Sequence, residues 1–329
     1  MAKVDIFSAF EQLKVLVIGD VMIDRYLVGH VERISPEAPV PIVNLDSVDN
    51  RLGGAANVAL NLKALGATPF LCSVIGEDNA ADTLQQLLNA EGLIDTGIIK
   101  EANRKTTVKT RVLAKNQQLL RFDSEVTSPI SEVTTTHFIQ HIQQLIQDEQ
   151  IDVVLFQDYN KGVLVPKLIT AIIDYCNSKN IPTAVDPKRD NFFAYKNVTL
   201  FKPNLKEVSE ALNFDINTED TKDLEEAANA IHNKINNTYT LITLSEKGMY
   251  LDDNRERVII PTKPRHIADV CGAGDTVISV ASLGLALQID MKLTCQLSNL
   301  AGGIVCESVG VVPVNKAALI REFEMLTTL

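Results

Sequence analysis

Short apolar runs bounded by turn-forming residues recur along the chain and alternate with longer helical segments. VLVIGD (15–20) reads as a buried strand, AANVALNLKALG (55–66) as a helix and TPFLCSVIG (68–76) as a second strand. The rhythm returns with DVVLFQDY (152–159), LITAIIDYCNSKN (168–180), PTAVDP (182–187), TLFKPN (199–204) and TLITLSEKG (240–248). Such alternation predicts an α/β fold: a doubly wound, mostly parallel sheet covered by helices on both faces. Ligands of such sheets bind at the carboxyl ends of the strands. Asp20, Asp158, Asp186, Asn204 and Thr243 all fall there.

Two stretches break this rhythm. RISPEAPVPIVNL lies within residues 21–50, and residues 105–123 read KTTVKTRVLAKNQQLLRFD. Both alternate apolar and polar side chains, as exposed or half-buried strands do, and AKN (114–116) offers a turn. They predict a small β-sheet beside the main one, either a lid over the site or an edge hairpin. With no repeat, low-complexity tract or linker, residues 1–329 are read as one domain carrying that lid.

The stretch DVCGAGDTVIS (269–279) sets two glycines before an aspartate and a long apolar helix. Gly272, Ala273 and Gly274 then lie at a helix start, where free N–H groups and the positive dipole end attract anions. Asp275 stands beside them. It either works with a bound anion or simply favours the helix start.

Composition narrows the field. With 31 Lys and Arg against 42 Asp and Glu, the formal charge of −11 speaks against a nucleic-acid surface. No signal peptide is recognisable, and no charge-free apolar run reaches the about 18 residues of a membrane span. The five cysteines have no C-x-x-C spacing, which fits a reducing cytoplasm, and no metal cluster is visible. The expectation is an acidic, soluble, intracellular protein.

Neither G-x-x-x-x-G-K-[ST] nor G-x-G-x-x-G after the first strand is present, so these two nucleotide fingerprints are not supported. GDVMID places Asp20 and Asp24 around a strand end, as sugar-hydroxyl acceptors or as surface turn residues. In LGGAAN, Gly53 and Gly54 precede a helix whose first turn holds Asn57. That arrangement suits a ring packed on bare backbone, or a common glycine turn. In KPNLKE, Asn204 and Glu207 have the spacing of groups that organise Mg²⁺ through its waters, and equally that of a capping box.

In this order and at these distances, GDxxxD, GGAAN, N-x-x-E and D-x-x-GAGD resemble the ribokinase-like (PfkB) carbohydrate kinases over roughly residues 13–315. RISPEAPVPIV (33–43), GGAANVALN (53–61), KTRVLAKNQQLLRFD (109–123) and QDYNKG (157–162) are similar to the heptose 7-phosphate kinases within that group. In many bacteria that kinase is the first half of a bifunctional ADP-heptose synthase. A chain ending at 329 is expected to lack room for the nucleotidyltransferase half.

The resemblance implies a Rossmann-like core with a β lid that often makes a homodimer contact, ATP and Mg²⁺ as cofactors, and a cytoplasmic sugar kinase. It implies Asp275 as general base, with the amides of Gly272, Ala273 and Gly274 as anion hole. It gives Asn204 and Glu207 to Mg²⁺, and Asp24, Gly53, Gly54 and Asn57 to the sugar. Thr243, Gly248 and Asn299 would lie along the nucleotide, and Asp269 would ligate a monovalent cation such as K⁺. Val270 departs from the broad family's usual Thr, and Cys271 from the Thr of the heptose kinases. A thiol at a helix start is either activated or a half-buried packing residue.

The implied reaction is transfer from ATP to the anomeric hydroxyl of D-glycero-D-manno-heptose 7-phosphate, giving the 1,7-bisphosphate for ADP-heptose and lipopolysaccharide core synthesis. A substrate phosphate needs cations. Lys109 and Arg111 alternate on one strand face, and Lys161 follows Asp158, so Arg111, Lys161 and Asp158 are expected at the substrate. The competing readings are a kinase for another sugar, such as ribose, fructose phosphate or a nucleoside, and a non-catalytic sugar- or nucleotide-binding regulator.

Overall fold

A computed structural model describes residues 5–115 and 117–328. After α1 (Asp5–Phe10), the run VLVIG forms β1 (Lys14–Gly19). Two 14-residue strands, β2 (Val21–Ile34) and β3 (Pro41–Gly54), leave the core and return at α2 (Ala55–Ala64) and β4 (Thr68–Ile75). Then come α3 (Asn79–Ala90), β5 (Ile94–Lys100), β6 (Val108–Ala114), β7 (Gln117–Ser124), α4 (Glu132–Glu149), β8 (Val153–Gln157), α5 (Pro166–Ser178) and β9 (Thr183–Asp186). The chain closes with β10 (Leu200–Phe201), α6 (Leu205–Leu212), α7 (Thr221–Ile235), β11 (Tyr239–Thr243), β12 (Met249–Asp252), β13 (Arg257–Ile260), α8 (Ala273–Ala286), α9 (Met291–Val305) and α10 (Lys316–Thr328).

Nine strands make the main sheet, in the order β13-β12-β11-β10-β9-β8-β1-β4-β5. From β5 to β11 every pairing is parallel, and β12 and β13 add an antiparallel edge. The central strand shows why helices cover both faces. Val15 and Val17 join a buried cluster with α1, α2, α3, α8, α9 and α10, whereas Leu16 and Ile18 join one with α4 to α7. The expected strand TLFKPN keeps only Leu200 and Phe201 in the ladder. Pro203 has no N–H to donate, and Asn204 turns the chain into α6 as its cap.

Four further strands form a separate sheet in the order β3-β2-β6-β7. Here β3 runs past residue 50, the expected limit, to Gly53 and Gly54, and so delivers the glycine pair to the core. Of the AKN turn, Ala114 ends β6 and Lys115 is left-handed at φ 54, while Asn116 lies outside the described residues. This sheet is two-faced. Leu27 pairs with Val48 and Val112, and Val112 with Leu120, so one apolar row crosses all four strands. Val48 and Leu120 are exposed along it. Asp24, Tyr26, Lys109 and Arg111 occupy the alternate positions, on the opposite face.

Candidate active site

Asp275 lies in the first turn of α8, a helix apolar on every side and buried along most of its length. That burial fixes the helix start against the ends of β8 and β9. The Asp275 carboxylate is itself buried, at 6 % exposure. Asn57 of α2 donates to Oδ2 at 2.7 Å, while Gln157 and the Tyr159 hydroxyl donate to Oδ1 at 3.1 and 2.8 Å. Burial raises its pKa to about 6 and Asp186 pushes the same way, against the opposing hydrogen bonds and Lys202. A carboxylate poised near neutrality among donors suits a general base.

The glycine loop beside it fits an anion, with one change from the expected set. Gly272 caps α8 at φ 81, which a side chain would strain. Among the described residues the amides of Gly272, Gly274 and Asp275 find no acceptor, but that of Ala273 turns back to the Val270 carbonyl at 3.3 Å. Of the three expected donors Ala273 alone is engaged, and Asp275's own N–H stands unengaged beside the other two. Lys202, buried and 2.9 Å from Asp186, stands beside Gly274: its Nζ would be 3.7 Å from a Cβ added there.

Asp269 accepts from the amides of Cys271 and Gly310, each at 3.0 Å, so it ties the loop down. Burial opposes its charge, but the Cys271 hydrogen bonds and the Gly310 amide outweigh burial and hold its pKa low. The Cys271 thiol is exposed rather than half-buried. Partial burial and Asp269 push its pKa up to about 11, so it is not activated.

On the lid side the expected sugar residues are engaged with one another. Asp24, buried, pairs with Arg111 at 2.6 Å, and the guanidinium lies 5.3 Å from the Tyr26 ring centre. A Cβ on Gly53 would stand 2.3 Å from Asp24 Oδ2, and one on Gly54 2.3 Å from the Asp20 carbonyl. The glycine pair thus makes room for the chain itself. Asn57, fully buried, donates to Asp275. Lys161 pairs with Glu125 at 2.8 Å. Lys109 has no carboxylate partner among the described residues and sits 5.4 Å from the Tyr159 ring centre. Burial and the neighbouring Lys161 lower its pKa.

Two aspartates weighed as sugar ligands are also tied into the framework. Asp20 accepts the backbone N–H groups of Tyr159, Lys161 and Val163 and so staples QDYNKG to the end of β1. Burial first, then Asp158, raises its pKa to about 6. Asp158 Oδ1 accepts from the Asn160 amide, and its Oδ2 from Asn191 at 3.1 Å and Tyr195 at 2.7 Å inside the fold.

The third wall gathers the remaining residues. Asn204 and Glu207 form a capping box: Asn204 Oδ1 accepts from the Glu207 amide, and Glu207 Oε2 from the Asn204 amide, both at 2.9 Å. Glu207 Oε1 meets Lys188, whose pKa rises, despite burial, through Asp186 and Glu207. Asn204 bridges to Thr243, the Gly248 turn (φ 97) abuts Ile260 and Thr262, and Thr262 bonds Asn299. No group of three or more His, Cys, Asp or Glu side chains among the described residues could hold a metal by itself. Glu207 keeps free lone pairs, which fits an ion that brings its own waters and phosphates.

Gln157, Tyr159, Lys188 and Lys202 were not expected at the site. Only Gln157 carried a signal: an amide closing the buried run VVLFQ needs a partner.

Fold, buried carboxylate and anion-ready helix start together define a sugar-kinase architecture. Over residues 12–317 the sequence matches the pfkB family of carbohydrate kinases, and the chain belongs to that family of phosphotransferases with an alcohol group as acceptor. It is 41% identical over 316 residues to the bifunctional protein HldE of Trichlorobacter lovleyi, covering 96% of this chain and 64% of that protein. With HldE of Campylobacter jejuni it shares 41% over 309 residues, 94% of this chain and 64% of the relative. The chain thus spans a little under two-thirds of the length of these relatives. Among solved structures, phosphofructokinase-2 from Escherichia coli aligns with a TM-score of 0.78 at 19% identity, covering 96% of this chain and 100% of that one. Arabidopsis thaliana ribokinase aligns at 0.71 and 15%, over 94% and 99%. At these identities the likeness is one of fold.

Proposed function

We propose that this chain is an ATP-dependent kinase that phosphorylates the anomeric hydroxyl of a sugar already phosphorylated at its far end, D-glycero-D-manno-heptose 7-phosphate. The observation that carries the kinase reading is Asp275, buried, charged near neutrality and next to unused helix-start amides. Asp275 takes the proton of the attacking hydroxyl, and the amides of Gly272, Gly274 and Asp275 stabilise the charge on the transferred group. The wall from Asn204 through Thr243 and Gly248 to Asn299 lies along the nucleotide. Bound Mg²⁺ would neutralise the phosphates, with Glu207 holding its waters. The ribokinase structure was solved with ribose and ATP and the phosphofructokinase-2 structure with potassium, which supports ATP here and a K⁺ role for the Asp269 loop.

The heptose reading rests on the HldE relatives and on the charged lid face. The two cations expected at the phosphate, Arg111 and Lys161, already face carboxylates, so their neighbour Lys109 is assigned the leading role instead. The apolar outer row of the lid supports a homodimer through these strands. Five free cysteines are in keeping with a cytoplasmic enzyme, and no described helix is long and apolar enough to cross a membrane.

An ADP-release assay over a panel of sugars and sugar phosphates tests the reading. Heptose 7-phosphate should be turned over in preference to the unphosphorylated heptose, and Lys109→Met should raise its KM far more than that of ATP. Preference for an unphosphorylated sugar leaves a kinase for another substrate. No sugar-dependent ADP release leaves a binding protein.

A further inference from the structure

The partners of Asp275 distinguish its two oxygens. A carboxylate oxygen offers two lone pairs. Oδ1 accepts from both Gln157 and Tyr159, at 3.1 and 2.8 Å, and is filled, whereas Oδ2 accepts only from Asn57, at 2.7 Å. We infer that Tyr159, with Gln157, is a positioning residue that saturates Oδ1 of the base and leaves Oδ2 as the atom that takes the substrate's proton. This rests on the reading of Asp275 as the base.

Packing alone does not account for the tyrosine. Its ring lies between two lysines, Lys109 of the lid at 5.4 Å and Lys188 at 5.7 Å from the centroid. A phenylalanine would preserve both contacts. What the hydroxyl adds is one hydrogen bond to the base. Burial and the Asp275 charge hold the phenol well above its usual pKa, so it stays a donor wherever the enzyme works. The same ring touches the lid cation assigned to the substrate phosphate and the lysine paired with Glu207. The orientation of the base therefore answers to both walls of the cleft.

The charged and titratable neighbours of Asp275 are few. Asp186 at the end of β9 raises its pKa, Lys202 after β10 lowers it, Lys188 is in turn raised by its charge, and Tyr159 and Asn57 stabilise the ionised form. Removing the phenol hydroxyl deletes one donor to that form. The protonated acid then persists to higher pH, and activity that needs the carboxylate fails earlier on acidification.

The test is Tyr159→Phe, read in two ways. Without substrate, the protein labelled with ¹³C at aspartate carboxyls is titrated by NMR, the Asp275 signal being the one missing from Asp275→Asn. In Tyr159→Phe that signal should titrate about 1 pH unit higher. With ATP and the best sugar phosphate of the panel, the acid limb of kcat/KM should move up by the same amount. At alkaline pH, kcat should fall on the order of tenfold through lost orientation, with the KM of ATP unchanged. An Asp275 titration that does not move, in a variant that melts like wild type, overturns the role of Tyr159 and leaves the base reading intact. A moved titration with an unmoved acid limb, or near wild-type turnover in Asp275→Asn, overturns the base reading and this inference with it.

Discussion

If Asp275 is a base held near neutrality by burial, removing its charge should trade activity for stability. Asp275→Asn keeps the shape of the side chain. At neutral pH the wild-type carboxylate is ionised in a site that raises its pKa from 3.8 to about 6, which corresponds to about 3 kcal/mol. The sign follows from linkage. The raised pKa means that the fold favours the protonated acid, so the stability associated with it is complete below pH 3.8. It is lost as pH rises through about 6. The amide is never ionised and escapes this loss. Against it stands one mismatched hydrogen bond, about 1 kcal/mol, because the new NH₂ faces a donor and the Tyr159 hydroxyl must turn to accept. The variant should therefore be about 2 kcal/mol more stable than wild type at pH 8, with the advantage closing between about pH 6 and pH 4. Urea unfolding at pH 4.5, 6 and 8 measures this. Turnover should drop by about two to four orders of magnitude. A stability difference flat in pH would show that burial does not strain this carboxylate. Near wild-type turnover would remove it from the chemistry.

Four further expectations concern the glycine loop, the α6 cap and the lid. Gly274→Ala has room, its nearest side-chain atoms being Lys202 Nζ at 3.7 Å and Asp186 Oδ2 at 3.8 Å. It should fold within about 0.5 kcal/mol of wild type yet lose on the order of tenfold in turnover, because the methyl covers the anion-facing amides. Gly272→Ala, at φ 81, should instead cost about 1 kcal/mol or more in urea unfolding. Asn204→Ala should cost about 1 kcal/mol as a lost cap, whereas Glu207→Gln keeps the capping geometry and should mainly raise the Mg²⁺ needed for half-maximal rate; an unmoved Mg²⁺ titration would leave Glu207 a cap alone. Replacing Val48 and Leu120 together by Glu should convert a dimer to monomers in sedimentation velocity, and a monomeric wild type would refute the lid interface.

The parts of the molecule legible from sequence are those whose cause is local. VLVIG announces a strand buried on both sides because it has no polar residue to turn outward, and the helix after GAGD announces its burial in the same way. Lid strands were visible through alternation, although their pairing order was not, since β2 meets β6 across more than seventy residues. The capping box at KPNLKE was spelled out by its spacing. The roles of Asp24, Asp158, Arg111 and Lys161 were not legible. Each had a suitable charge on a strand or just past one, but its partner comes from elsewhere in the chain: Arg111 finds Asp24, Asp158 finds Tyr195, and Lys161 finds Glu125. A charge pattern read along the chain counts cations without knowing which are already neutralised.

That limit also explains why Tyr159 escaped notice while Asp275 did not. An aspartate after GAG carries its chemistry in its own sequence, but a tyrosine in a loop acquires meaning only when folding carries it to a carboxylate 116 residues away. Burial alone would drive the Asp275 pKa further up and leave a neutral acid unable to accept a proton at the pH of a cell. The donors from Asn57, Gln157 and Tyr159 restrain that rise and hold the group near about 6, close to where a base is both ionised and still basic. They come from two separate stretches of the chain, α2 and the end of β8 with the loop after it, and Asp20 staples that loop in place. If Asp275 is the base, its reactivity is thus set by the tertiary fold, and a change at Asp20 should be felt first as a displaced acid limb at Asp275, before any loss of the sheet itself.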